Sequence, residues 1–389
     1  MNEIVDTLIC KSAGMKFNVW SCLICASLLL TAFVTHHSNE HKTLEIGMAA
    51  PDFELKGVDG KSYSLASFEK AKVLVVIFTC NHCPTAQAYE DRIIRLASDY
   101  ESKNVSVVAI MPNDPACLRL DELDFSDLGD SYEEMKIRAK EKNFNFPYLY
   151  DGDTETASSS YGPIATPHVF VFDNSRKLRY EGRVDDMESP FRTPASTDTR
   201  NAIDALLANR EVTVKKTKVF GCSVKWSDKK DQVEKAKEAW AKEPVHLGNI
   251  DSDSIAKMMK NPSAKLRLIN LWSVGSGPCT QEFPAFITIN RMYRDRDFEF
   301  INISIDEISG RGRILEFLQQ QQASASNYFF DIKDKSKLIE AVNPAWTGVL
   351  PYTLLVEPGG KIVCTKEGII IPADLKREIV NNHLLGRYP

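Results

Sequence analysis

Apolar residues along this chain fall into two kinds of run, and the two kinds alternate. Short blocks rich in β-branched residues, such as Lys72-Val-Leu-Val-Val-Ile-Phe78 and residues 105–110, predict buried strands. After the first block the apolar positions change period: Tyr89, Ile93, Ile94 and Leu96 follow helical spacing, and 132–142 reads as a second helix. Short strands are expected at 148–150, 168–173 and 178–183, and a helix at 199–207 closes the set. The same plan then recurs, with strands over 266–272 and 298–305, helices over 279–293 and 314–321, a strand pair at 352–356 and 361–365, and a closing helix at 373–385. A Pro opens the later strand pair in each copy, Pro167 in the first and Pro351 in the second. Strands alternating with helices predict an α/β fold, here two tandem folds, each a central mixed β-sheet flanked by helices. Between them, 228–242 places Val233, Ala236, Ala239 and Trp240 on one face of an amphipathic helix rich in Lys.

The 389 residues exceed what one ordinary core accommodates and suit two domains. The expected division is a leader and linker over 1–42, a first domain over 43–208, a connecting segment over 209–247 and a second domain over 248–389. A net charge of −5, from 48 basic and 53 acidic residues spread along the chain, gives no basic face for nucleic acid. Near the start, Lys11 and Lys16 precede an uncharged stretch, 17–35, that runs through Leu28-Leu29-Leu30. That pattern reads as a signal peptide or a retained signal anchor in the membrane, and either puts the body of the protein outside the cytoplasm, periplasmic or secreted.

The nine cysteines are too sparse for a disulfide scaffold and do not repeat at structural-zinc spacing, so neither a metal nor an organic cofactor is expected. Cys80 and Cys83 stand apart because their C-x-x-C spacing falls at a strand-to-helix junction. The free N–H groups and dipole of a helix start favour a thiolate, and a second cysteine one turn away can resolve a mixed disulfide. On this reading Cys80 occupies the helix start as nucleophile, Cys83 resolves, and His82 tunes the pair; a metal half-site or an exposed polar His82 are the plainer alternatives. In the second copy, Ser276 stands at the first position of the turn and Cys279 at the last, so no internal dithiol can form there. Cys279 is then a lone thiol, or the domain is kept for binding or packing.

Several segments between Leu44 and Trp226 carry a resemblance. Phe78-Thr-Cys-Asn-His-Cys-Pro84, Gly47-Met-Ala-Ala-Pro-Asp-Phe53, Phe146-Pro-Tyr-Leu-Tyr-Asp151, Gly182-Arg-Val-Asp-Asp186 and Gly221-Cys-Ser-Val-Lys-Trp226 resemble the thioredoxin-like peroxiredoxin (AhpC/TSA, redoxin) group. Asn270-Leu-Trp-Ser-Val-Gly-Ser-Gly-Pro-Cys279 resembles a degenerate TlpA-type turn. The resemblance implies a thioredoxin fold and disulfide exchange with client proteins, recycled by a redox partner in the envelope. It implies a cis Pro167 packed against the dithiol, with Pro351 in the matching place of the second domain. Leu74 takes the position of the buried carboxylate of ordinary thioredoxins, which speaks against their proton relay. A peroxidase reading also follows, with Cys83 attacking a peroxide beside the positive charge of Arg183. Cys222 either packs or resolves a disulfide, packing being the first expectation, whereas Cys117 and Cys364 read as structural. A binding protein with a structural disulfide is the non-enzymatic alternative.

Overall fold

The computed structural model describes residues 41–388, so the apolar stretch at 17–35 and Cys10, Cys22 and Cys25 lie outside the described residues. Two sheets, each flanked by helices, organise the chain. In chain order the first sheet takes its strands from β1 (Glu54–Gly57), β2 (Ser62–Ser64), β3 (Val73–Phe78), β4 (Val105–Met111), β5 (Tyr148–Tyr150), β7 (His168–Phe172) and β8 (Leu178–Gly182). They are ordered β2-β1-β5-β4-β3-β7-β8. β3 pairs parallel with β4 and antiparallel with β7, making the sheet mixed. Every residue of β3 is buried, Leu74 included, because helices cover both faces of this central strand. Those helices are α1 (Pro84–Tyr100), α2 (Tyr132–Lys142), α3 (Thr156–Tyr161) and α4 (Asp198–Leu207).

Two short strands outside the main sheet form a pair of their own. β6 (Ala165–Thr166) runs antiparallel to β9 (Cys222–Ser223), bringing Thr166 opposite Cys222. The approach is close enough that a side chain at Gly221, whose φ is +135°, would put its Cβ 2.0 Å from the Thr166 carbonyl oxygen. The Thr166–Pro167 and Leu350–Pro351 peptide bonds are both cis, as the resemblance implies.

After the linking helix α5 (Lys230–Ala241), which buries Val233 and Trp240 as its pattern predicts, the second sheet begins. Its strands are β10 (Gly248–Asn249), β11 (Leu266–Trp272), β12 (Phe298–Asp306), β13 (Ser326–Asp331), β14 (Tyr352–Val356) and β15 (Ile362–Glu367). Their order is β10-β13-β12-β11-β14-β15, with parallel pairs on one side of β11 and antiparallel pairs on the other. The accompanying helices are α6 (Ser252–Met259), α7 (Gly277–Tyr293), α8 (Arg311–Gln320), α9 (Lys335–Val342) and α10 (Pro372–Asn381). No helix among the described residues is long and apolar enough to cross a membrane.

The two layers are not separate beads. Residues from Lys42 onward form one compact unit, and the loop after β4 joins the second core: Leu123 is buried in the cluster that holds Phe286, Met292 and Tyr293, with Leu118 and Leu120 packed against it.

Candidate active site

The dithiol turn sits between the end of β3 and the start of α1, and the position of each sulfur follows from where that helix begins. Cys83 is its N-cap: its backbone is extended (φ −67°, ψ 122°), Pro84 follows at the first helical position, and the Gln87 N–H bonds the Cys83 carbonyl at 3.0 Å. The Cys83 sulfur itself accepts the Ala86 N–H at 3.4 Å and the Cys222 N–H at 3.3 Å. This corrects the expectation from the motif, which put Cys80 at the helix start. Cys80 lies one turn earlier in non-helical backbone, its sulfur 3.0 Å from the Thr166 hydroxyl. In the second domain the register differs, for there Ser276, the first residue of the turn, caps α7.

Asp130 holds the turn. Fully buried, it accepts the N–H groups of Asn81 (2.9 Å) and His82 (3.2 Å) on one oxygen, and His82 Nδ1 (2.6 Å) and Asn113 Nδ2 (2.7 Å) on the other. Its loop partner Asn81 is fixed in turn by Nδ2 donating to the Gly129 carbonyl and Oδ1 accepting from Tyr148. Gln87 bridges the His82 and Phe125 carbonyls, while Glu90 and Arg138 form a buried bidentate pair a turn further along α1. Asp130, Asn113 and Gln87 do not stand out in the sequence, since each lies far from the motif in the chain or has an ordinary helical position. Thr166 alone carries a signal, its place immediately before Pro167.

Electrostatics separate the two sulfurs. Burial pushes the Cys80 thiol well up, helped by the neighbouring Cys83 and the Asp130 charge. Burial would also raise Cys83, but hydrogen bonds from Cys222 and Cys80, the His82 charge and the Ala86 N–H together hold it well below an ordinary thiol. His82 is buried, which favours its neutral form, yet the Asp130 carboxylate raises it overall; burial likewise opposes the Asp130 charge, and His82 with the donors around it keeps Asp130 low. The His82 charge, expected to tune the pair, lowers the Cys83 thiol, and a ring nitrogen of His82 also lies within 4.8 Å of the Cys80 sulfur.

Arg183 pairs through its Nε with Asp198 at 2.7 Å, and among the charges that lower the Cys83 thiol is that of His82. Pro167 follows Thr166, whose carbonyl oxygen is 3.3 Å from the Cys83 sulfur, so the cis-proline segment does border the dithiol. Cys222, expected first as packing, does pack against the core, and its backbone N–H also bonds the Cys83 sulfur at 3.3 Å. Cys80, His82 and Asp130 lie close enough to share a metal ion, but all four hydrogen bonds at the Asp130 carboxylate are already made, which leaves that set a poor ligand cage.

In the second domain Cys279 is buried, and burial raises its thiol despite a hydrogen bond from Ser276. Glu282, one turn on, is pushed up to about 7 by burial, with one oxygen bonded to the Ile370 N–H and the other without a partner among the described residues. Cys117 is raised to about 11, and Cys364 is raised as well, both by burial, in keeping with inert thiols.

Comparison with known proteins places this geometry. Residues 45–203 match the redoxin family. A thiol-disulfide oxidoreductase ResA of Bacillus thuringiensis subsp. konkukian is 27% identical over 172 residues, 44% of this chain and 88% of that protein. A putative peroxiredoxin bcp of Helicobacter pylori is 36% identical over 70 residues, 18% of this chain and 46% of that protein. Among solved structures, an uncharacterized conserved protein from Geobacillus kaustophilus is 37% identical, covering 48% of this chain and 94% of that one, with a TM-score of 0.43. Residues 45–203, with their buried dithiol turn and cis proline, are a redoxin-family domain of thioredoxin-like fold.

Proposed function

We propose that the chain is a thiol–disulfide oxidoreductase whose attacking thiolate is Cys83 and whose resolving thiol is Cys80. The observation that carries this is the capping position of Cys83, with two backbone N–H groups donating to its sulfur. In the reductive direction the Cys83 thiolate attacks one sulfur of a substrate disulfide, forming a mixed disulfide and expelling the other sulfur as a thiolate. Cys80 then loses its proton, attacks the Cys83 sulfur and releases the second substrate thiolate, leaving a Cys80–Cys83 disulfide. This order reverses the one suggested by the motif alone. Relatives named as oxidoreductases and as a peroxiredoxin support redox chemistry at thiols. Export through the 17–35 stretch, protein clients and a recycling partner in the envelope belong to the same proposal, as does a packing role for the second domain.

A second reading is favoured by burial, since Cys83 is 0% exposed and Cys80 3%. A small hydroperoxide reaches such sulfurs more readily than a protein disulfide does. Cys83 would take the terminal oxygen to become a sulfenic acid, releasing the alcohol; Cys80 would then condense with it to the disulfide and water. The test uses single variants in the full chain. Cys83→Ser should abolish both insulin disulfide reduction and hydroperoxide consumption, and Cys80→Ser should trap mixed disulfides on Cys83. Trapping by Cys83→Ser instead would return the attacking role to Cys80, and the ratio of the two wild-type activities separates the two substrates.

A further inference from the structure

Three sulfurs, not two, meet at this site. The strand pairing of Thr166 with Cys222 lays β9 alongside the cis-proline segment, and Gly221 allows that approach because any side chain there would strike the Thr166 carbonyl. Cys222 is thereby brought to the helix start. Its backbone N–H bonds the Cys83 sulfur at 3.3 Å, which sets the Cys222 residue directly against that atom. Cys80 and Cys83 meet on the same residue, Cys80 at the Thr166 hydroxyl (3.0 Å) and Cys83 at the Thr166 carbonyl (3.3 Å). The surfaces of the three differ: Cys80 and Cys83 are buried, whereas Cys222 is half-buried.

We infer that Cys222 is a second resolving thiol, and that the Cys83 sulfur can be bonded to Cys80 or to Cys222 in turn. This deepens the reading of Cys83 as the attacking thiolate and rests on it. Starting from the Cys80–Cys83 disulfide, Cys222 loses its proton and attacks the Cys83 sulfur. The Cys83–Cys222 disulfide forms, and Cys80 leaves as a thiolate that takes up the proton. No electrons are gained or lost overall, because the two-electron oxidation moves from one bond to another. The consequence is positional. An oxidation formed between two buried sulfurs is carried to a bond with one half-exposed end, where an external thiol can attack Cys222. A reductant too bulky to reach the buried pair can then still regenerate the enzyme.

The experiment treats full-length Cys80→Ser with oxidised glutathione and maps the products by mass spectrometry under non-reducing conditions, beside Cys80→Ser/Cys222→Ser. Attack by Cys83 first gives a glutathione adduct on Cys83 in both. With Cys222 present the adduct should be short-lived, replaced by a peptide pair linked Cys83–Cys222, and in the double variant it should persist. An equally persistent adduct in both variants would overturn the inference while leaving Cys83 as attacker. Absence of any adduct on Cys83 would overturn the attacking role itself and the inference with it. In the wild type, mild oxidation should yield both the Cys80–Cys83 and the Cys83–Cys222 linkages, and their ratio should shift toward Cys80–Cys83 in the Gly221→Ala variant, where β9 is displaced.

Discussion

Replacing Asp130 with Asn asks how much of this site depends on a residue 47 positions beyond Cys83. The carboxylate accepts four hydrogen bonds in a fully buried setting, two from the backbone of the turn and two from side chains. Asn can still accept the N–H groups of Asn81 and His82 on its one oxygen. Its amide then faces His82 Nδ1, which can adapt by changing tautomer, and Asn113 Nδ2, which cannot. Asn113 is pinned because its own oxygen accepts the Lys225 N–H at 2.9 Å. One buried donor is left without a partner, at about 1–3 kcal/mol, and the charge that stabilises protonated His82 is gone. Removing one member of a buried pair costs roughly 3–5 kcal/mol, so a loss near 3 kcal/mol is expected for this conservative change.

The pH dependence distinguishes this account from ordinary destabilisation. Asp130 is held below its usual value, so its contribution is present above about pH 4 and disappears as pH falls through the folded pKa. His82 is raised, so its contribution is complete below about pH 6.5 and is lost as pH rises through its folded pKa. The gap in urea midpoint between wild type and Asp130→Asn should therefore be widest between those limits and narrow on both sides. Chemistry should follow the same charge. Alkylation of Cys83 by iodoacetamide near neutral pH, read by peptide mapping, should slow on the order of tenfold, for about 1.4 kcal/mol of lost thiolate stabilisation. A variant with reduced stability but an unshifted Cys83 alkylation profile would refute the claim that Asp130 acts on the sulfur through His82.

Three further outcomes are expected. Gly221→Ala should lower stability by about 1–3 kcal/mol, because a Cβ in left-handed backbone 2.0 Å from a carbonyl oxygen must push β9 aside; an unchanged urea midpoint would contradict the close approach. Glu282 is raised to about 7, so the native state is progressively penalised as pH climbs from about 4.5 to 7, and Glu282→Gln should gain roughly 3 kcal/mol relative to wild type above that range. A difference in midpoint that does not vary with pH would show that the carboxyl does not titrate there. Ser276→Cys should lose two free thiols on mild oxidation through a new bond to Cys279, since Ser276 caps α7 with Cys279 in its first turn; thiol counts that stay unchanged would place the two side chains out of reach.

Most of the scaffold was legible because it rests on periodicity. Strands at Leu266–Trp272 and Tyr352–Val356 and the helix at Tyr132–Lys142 have the bounds that their hydrophobic pattern predicts. Elements that escaped were short and mixed in polarity. The strand Ser326–Asp331 reads Ser-Asn-Tyr-Phe-Phe-Asp, and it is a strand because β12 and β10 flank it, a tertiary cause invisible along the chain. At the site, the dithiol and the prolines were legible as motifs, whereas the order of the two sulfurs relative to the helix start was not. That order depends on the helix starting at Pro84 and on which sulfur receives the N–H groups of Ala86 and Cys222. The pairing of Arg183 with Asp198, at the start of α4, was equally invisible in the motif.

The second domain acts on the first through the loop that carries Asp130. Between β4 and α2 this loop sends Leu118, Leu120 and Leu123 into the second core and leaves Asp127 1% exposed. A carboxylate so buried requires cations, and both come from the second domain: Arg387 at 2.6 Å and Arg377 at 3.2 Å. The Tyr293 hydroxyl bonds the Ser126 carbonyl at 2.8 Å, and Arg296 bonds that of Asp124 at 2.8 Å. Side chains of the second domain thus hold the stretch from Asp124 to Asp127, which ends just short of Asp130. Without them, Asp127 would face solvent or neutralise, three leucines would lose their cover, and nothing comparable would restrain the loop on that side. The restraint is transmitted by geometry alone: a loop free to move shifts Asp130, and with it the His82 ring and the N–H groups of the dithiol turn that Asp130 holds. A domain whose own turn cannot form a dithiol is thus built into the electrostatics of the dithiol that remains.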